Sequence, residues 1–187
     1  MWNVNIVGTA NVVNAARRTG VRRLVYTSSI NAVYAGGRKL TKASEDDPLL
    51  KRYLDYSKSP NIYSWTKGTA EKLVLDSNCD ELRTVALRPP GLWGFGDAFM
   101  IGHIATHNNP TVSQENTFAD LLYIGNAVAA HSDAAAALAD NHTEAGGRAF
   151  FITDDSAVSM PELWRLVRSK LDPRVSRRVY SGRRRSG

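Results

Sequence analysis

The chain has 187 residues, of which 43% are hydrophobic and 22% charged, values of a globular domain with enough length to bury a core; a disordered polymer or low-complexity array is excluded. No apolar stretch approaches the roughly 18 unbroken residues that span a bilayer, and Met1-Trp2-Asn3 has neither the basic nor the apolar region of a secretory leader. The formal charge of +6 comes from six arginines beyond residue 173, since the remainder holds 18 basic and 18 acidic residues.

The first predicted element is a helix from Asn5 to Thr19. Ile6, Val7, Ala10, Val13 and Ala16 give it a wide apolar stripe, and Gly20 stands where a helix stop belongs. Arg23 to Thr27 follows as a short β-rich strand. Residues 31–58 form a long polar connection with Gly36-Gly37 and Glu45-Asp46-Asp47-Pro48, and connections of that length are usually lids or binding loops. Ser59 as cap and Pro60 at the first position announce a second helix, whose Ile62, Trp65, Thr66, Thr69, Ala70 and Leu73 recur at helical spacing.

Leu82 to Leu87 is the next strand, closed by Arg88-Pro89-Pro90-Gly91. An Ala-rich helix is expected over Tyr123 to Ala139, a strand over Arg148 to Thr153 and an amphipathic helix over Met160 to Leu171. Arginines 174, 177, 178, 183, 184 and 185 end the chain with no acid among them. No aromatic platform accompanies this tail, so it reads as a solvated, disordered end and no nucleic-acid partner is expected. The single cysteine, Cys79, forms no internal disulfide and fits a reducing compartment, so a cytoplasmic protein is expected.

Alternating helices and strands with short joints indicate a parallel sheet covered by helices. The alternation opens on a helix and places only two core strands before residue 90. A doubly wound sheet needs more, so the first strand would show an open edge. The expectation is a partial Rossmann-type α/β sheet without its first strands. Residues 1–92 would be the later half of a dinucleotide-binding domain, 93–172 a substrate-binding region interleaved with the last sheet elements, and 173–187 the basic tail.

Chemistry concentrates at Tyr63-Ser64-Trp65-Thr66-Lys67, behind the Thr27-Ser28-Ser29 that ends the first strand. A free phenol has a pKa of about 10 and is a poor base at neutral pH. Tyr63 in the first turn of a helix gains from the dipole, and Lys67 one turn later, about 6 Å away between Cβ atoms, favours the phenolate further. Such a pair can take a proton from an alcohol or return it to a carbonyl, while a serine hydroxyl holds the same oxygen in place. Arg88-Pro89-Pro90-Gly91 leaves the C-terminal end of a strand, the crevice where open α/β sheets bind ligands.

Other features carry less. Gly91, Gly94 and Gly96 are no phosphate loop, since no helix follows at the required spacing and Asp97 would repel a pyrophosphate. Phe95, Phe99, Met100, Ile101 and Ile104 line an apolar substrate pocket or form one buried helix face. His103 and His107 have metal-ligand spacing without the intervening Glu or a third ligand, so no metal is expected. Cys79 beside Asn78 reads as inert.

Asn5-x-x-Gly8-Thr9, then V-R-R-L-V-Y-T-S-S, Y-x-x-x-K and A-L-R-P-P-G-L-W-G-F-G-D, in that order, resemble the extended short-chain dehydrogenase/reductase family. More narrowly they are similar to its branch of 3β-hydroxysteroid and sterol-4α-carboxylate 3-dehydrogenases. Phe118-Ala119-Asp120 with Tyr123, Asn126-Ala127 and His131, and Gly146 to Asp154, agree with that branch. The likeness runs from about residue 4 to 171.

The resemblance implies an NAD- or NADP-dependent oxidoreductase acting on the 3β-hydroxyl of a lipophilic, sterol-like substrate. Catalytic roles fall on Tyr63, Lys67 and Ser29, with Ser28 as the other serine and Asn5 near the site. Cofactor contacts fall on Thr27, Ser28, Tyr63, Lys67, Arg88, Pro89 and Gly91. It also implies a homodimer through the first two helices, and leaves a peripheral position at the endoplasmic reticulum membrane open. Members begin with a strand and G-x-x-G-x-x-G, a loop expected to be missing here. Weak NAD(H) binding, or a truncated inactive remnant, is therefore the competing expectation. A sugar-nucleotide epimerase or a dihydroflavonol-type reductase is the alternative within the family.

Overall fold

A computed structural model describes residues 1–33, 43–45, 62–97, 100, 102, 104, 118–139 and 144–171. A π-helical turn, Asn3–Val7, leads into α1, Gly8–Arg18; then come β1, Arg23–Thr27, α2, Ile62–Leu75, β2, Arg83–Arg88, and β3, Gly91–Trp93. β4, Phe118–Tyr123, α3, Ile124–Ala139, β5, Arg148–Phe151, β6, Ala157–Ser159, and α4, Met160–Leu171, complete the order. They fall into two compact units, one of residues 1–90 with 125–152 and the other of 91–124 with those from 153 on. The expected Ser59-Pro60 helix start, the Gly36-Gly37 turn, Phe99, Ile101, His103, His107 and the basic tail lie outside the described residues.

In the first unit β1, β2 and β5 form a parallel sheet in that order, with Tyr26 opposite Ala86 and Ala86 opposite Ala149. Side chains alternate across it. Leu24 and Tyr26 pack with Val13, Ala16, Val74 and Leu82, joining the sheet to α1 and α2. Val25, Val85, Leu87 and Phe150 pack with Ala130, Ala134 and Leu138 of α3 on the other face. Helices thus cover both faces, and the apolar run of β2 sits in the middle. Among the described residues, β1 pairs with β2 alone.

Gly20 closes α1 as expected. Its φ of 70° suits a residue without Cβ, Val21 N–H returns to the Ala16 carbonyl at 2.9 Å, and Gly20 N–H reaches Arg17 O at 3.4 Å. The π-helical turn ahead of it was not anticipated; nothing in N-V-N-I-V breaks the helical apolar period. Trp2, just ahead of this turn, stacks on Trp65 of α2, ring centres 5.1 Å apart.

In the second unit β4 pairs in parallel with β3 and antiparallel with β6. Asp154 clamps this sheet, its carboxylate accepting from Tyr123 N–H at 2.8 Å. The sequence reading missed β3, because Gly91-Leu92-Trp93 is too short for a period. Phe95 is fully exposed at the turn after β3, which rules it out of a buried helix face, whereas Ile104 is buried and its carbonyl accepts from Arg168 Nε at 3.0 Å. Among the described residues no helix is long and apolar enough to cross a membrane.

Gly94 is constrained by its surroundings. A Cβ there would lie 2.4 Å from Ile124 Cγ2, the stiff end of a β-branched side chain. Gly94→Ala is expected to cost about 1–3 kcal/mol through overpacking, read as a lowered urea midpoint. An unchanged midpoint would mean that this contact relaxes freely.

Candidate active site

The C-terminal ends of β1 and β2 and the first turns of α2 converge in the first unit. Tyr63 is the second described residue of α2 and Lys67 follows one turn later; both are half-buried. Lys67 Nζ donates to the Thr27 carbonyl at 2.9 Å and lies 5.1 Å from the centre of the Tyr26 ring. Burial pushes the Lys67 pKa below its usual range, with the Glu71 carboxylate acting the other way.

Tyr26 itself is pushed up to about 12, chiefly by burial, with Glu71 and Tyr63 adding to the rise and a Thr9 hydrogen bond opposing it. A raised phenol pKa gives stability that is full below the unfolded value near 10 and is lost as pH climbs through 12. Wild-type stability is therefore expected to fall relative to Tyr26→Phe between those two pH values. Parallel denaturation curves would contradict this.

The two chain segments leaving β1 and β2 run together. Ser28 N–H donates to the Leu87 carbonyl at 2.7 Å and Ile30 N–H to the Pro89 carbonyl at 3.0 Å, which sets both serines beside Pro89. The Ser28 hydroxyl donates to Glu71 Oε2 at 2.6 Å, fully buried. Ser29, in extended backbone, caps a short 3₁₀ turn, its Oγ accepting from Asn31 N–H at 3.1 Å. The Ser28 proton is thus committed to a carboxylate, while the Ser29 hydroxyl accepts from Asn31 and, among the described residues, has no acceptor for its own proton.

Arg88 turns inward. Its Nη2 and Nε reach Glu71 at 2.7 and 3.0 Å, with the ring of Phe151 5.3 Å from its guanidinium carbon. The side chain expected near a cofactor is buried as the partner of Glu71. Glu45, from the long connection, caps this corner: its Oε1 accepts from Phe151 N–H at 3.0 Å and its carbonyl from Arg88 Nη1 at 3.5 Å.

Asn5, in the π-helical turn, donates from Nδ2 to Thr66 Oγ1 at 2.9 Å, and that hydroxyl donates to the Ile62 and Tyr63 carbonyls at 2.9 and 3.1 Å. Asn5 is therefore tied to the turn of α2 that carries Tyr63. Gly91 opens β3 in the second unit. Cys79 bonds to Leu82 through its main chain, at the opposite end of the sheet from the site. Among the described residues no group of three His, Cys, Asp or Glu could hold a metal.

Two site residues escaped the sequence reading. Glu71 is one: it lies one turn beyond Lys67, off the apolar stripe of α2, and is nevertheless fully buried, where a charge needs a partner. His131 is the other, accepting from the Thr27 hydroxyl through Nε2 at 2.8 Å while its Nδ1 bonds the Ala127 carbonyl at 2.7 Å. A carbonyl only accepts, so Nδ1 carries the proton. His131 lay inside the helix expected over Tyr123 to Ala139 and in the motif of the resemblance, but was given no role in the site.

A parallel sheet between helical layers, with Tyr63 and Lys67 beside the C-terminal ends of its strands, defines the short-chain dehydrogenase/reductase class of α/β protein. A solved structure of a dTDP-glucose 4,6-dehydratase from Bacillus anthracis, in complex with NAD, shares the fold. Its TM-score is 0.69 at 17% identity, covering 91% of this chain and 53% of that one. The model of the 3-beta hydroxysteroid dehydrogenase/isomerase family matches residues 1–180, and the chain belongs to that family.

A 3-beta-hydroxysteroid dehydrogenase from Mycolicibacterium neoaurum is 36% identical over 172 residues, 89% of this chain and 45% of that protein. A 2-alkyl-3-oxoalkanoate reductase from Shewanella oneidensis is 32% identical over 174 residues, 87% of this chain and 43% of that protein. The chain thus spans somewhat under half the length of these curated relatives.

Proposed function

We propose that this chain carries the proton-transfer half of an NAD- or NADP-dependent oxidoreductase acting on a 3β-hydroxyl, or the matching ketone, of a steroid- or sterol-like substrate. The observation that carries the reading is the Lys67 ammonium fixed at the end of β1, one helical turn from Tyr63. The Tyr63 phenolic oxygen takes the proton of the substrate hydroxyl, and the Lys67 charge favours the phenolate that accepts it. Ser29 donates to the same substrate oxygen, the role its hydroxyl proton is free to play and the Ser28 proton is not.

The donor set fits the nicotinamide end of the cofactor, because a half-buried ammonium beside a strand end suits a ribose hydroxyl pair; Lys67, Thr27 and the Pro89 segment would hold it there. When bound, that cofactor supplies the hydride acceptor. Asn5 keeps the first turn of α2 in place through Thr66.

Family membership supports the steroid class, and the likeness to the Shewanella reductase favours a second reading, an open-chain 3-oxo acid or its alcohol. Both need the same proton transfer. A homodimer through α1 and α2, and a peripheral place at a membrane, belong to the proposal as well. The test is turnover of a 3β-hydroxysteroid and of a 2-alkyl-3-oxoalkanoate with either nicotinamide, in wild type and in Tyr63→Phe. Turnover of the steroid that vanishes in the variant supports the first reading. Turnover of neither substrate by wild type overturns both.

A further inference from the structure

We propose that the Tyr26 ring and the Thr27 carbonyl form a built, uncharged seat for the Lys67 ammonium, with Tyr26 as a positioning residue. The seat itself stands on geometry, and only its consequence for turnover rests on the oxidoreductase reading of Tyr63 and Lys67. A lysine on a flexible four-carbon stem leaves water only where something replaces hydration. Here a carbonyl oxygen lies 2.9 Å from Nζ and an aromatic face 5.1 Å away, the arrangement in which a ring quadrupole attracts a cation.

Both parts of the seat are themselves fixed. Tyr26 is held by the core that α1 and α2 build around it. Thr27 is held from the opposite layer, where its hydroxyl meets His131 and the His131 ring is locked by the Ala127 carbonyl. Two consecutive residues of β1 therefore anchor Lys67 to all three layers.

The seat is neutral where a carboxylate was at hand. Glu71 sits one turn beyond Lys67, yet its oxygens are taken by Ser28 and Arg88. Among the described residues no carboxylate pairs with Lys67. An acid at the seat would cancel the ammonium field, whereas a ring and a carbonyl hold the cation and leave its charge for the Tyr63 oxygen. Partial burial, which pushes the Lys67 pKa down, agrees with a group drawn out of water.

Side-chain NMR of the whole chain tests this without any turnover. The Lys67 ε-methylene signals, assigned through their loss in Lys67→Arg, should be displaced upfield of the other lysines by the Tyr26 ring current. Tyr26→Phe keeps the ring and should keep the displacement; Tyr26→Leu, with its amide spectrum checked for an intact fold, should lose it. A displacement that survives in the Leu variant, or disappears in the Phe variant, overturns the seat. In turnover, Tyr26→Leu should lower kcat about tenfold with KM within about twofold, and Tyr26→Phe should match wild type. A wild type without turnover but with the displacement intact removes the oxidoreductase reading and supports the seat.

Discussion

Replacing Glu71 by alanine is expected to destabilise the protein by about 3–5 kcal/mol, the cost of leaving a buried charge without its partner. The pair is closed from water: the Arg88 and Glu71 side chains are 3% and 0% exposed, with 2.7 Å between them. Truncation would strand the Arg88 guanidinium and leave the Ser28 hydroxyl without its acceptor in the same step. Against a typical total of about 5–15 kcal/mol, that loss brings the chain close to unfolding. The contrast is the double change Glu71→Met with Arg88→Met, which removes both charges and should recover most of the loss, since an apolar pair of similar volume is often no worse than a buried ion pair. Thermal and urea melts of wild type and the two variants decide it. A single Glu71→Ala that costs under about 1 kcal/mol would mean that water reaches the site.

Tyr63→Phe is expected to lower kcat by about 10²–10⁴-fold, the contribution of a positioned acid–base group, because phenylalanine has no proton to move. The change removes one oxygen and keeps the ring, so stability should stay within about 1 kcal/mol of wild type. Steroid KM and nicotinamide affinity should move little, since the lost interaction acts in the transition state. Equal loss in KM and kcat would recast Tyr63 as a binding group. Unchanged turnover would remove it from the chemistry.

The sequence made the first unit readable because its elements are long enough to show their periods. Val13 and Ala16 mark the face of α1, R-L-V-Y-T is β1 and R-T-V-A-L lies within β2, and Gly20 ends α1 with the geometry a glycine favours. The whole second sheet stayed hidden: β3 and β6 have three residues each and carry no period, and Asp120 interrupts the apolar run of β4. The π-helical turn at Asn3–Val7 was equally invisible, its residues reading as ordinary helix.

In the site, the order of Ser29, Tyr63 and Lys67 was legible, and the structure adds what stands behind them. Arg88 looked like a group for a ligand because it leaves a strand at the crevice. Its inward turn depends on an acid at position 71, and a reading of β2 alone contains no such information. Between Ser28 and Ser29, only the family resemblance favoured Ser29 in the sequence. They differ through their neighbours: the carboxylate takes the proton of one, and the Asn31 amide leaves that of the other.

Adjacent residues of a strand face opposite ways, and β1 uses this at Tyr26 and Thr27 to serve α2 with a ring and α3 with a hydroxyl. A slip of β1 by one residue against β2 would exchange those faces, moving the ring away from Lys67 and the hydroxyl away from His131 together. Many side-chain exchanges elsewhere in this strand would leave the anchor intact. A single inserted or deleted codon between Arg23 and Ser29 would dismantle it whole, so this stretch is tied to its length more tightly than to its composition.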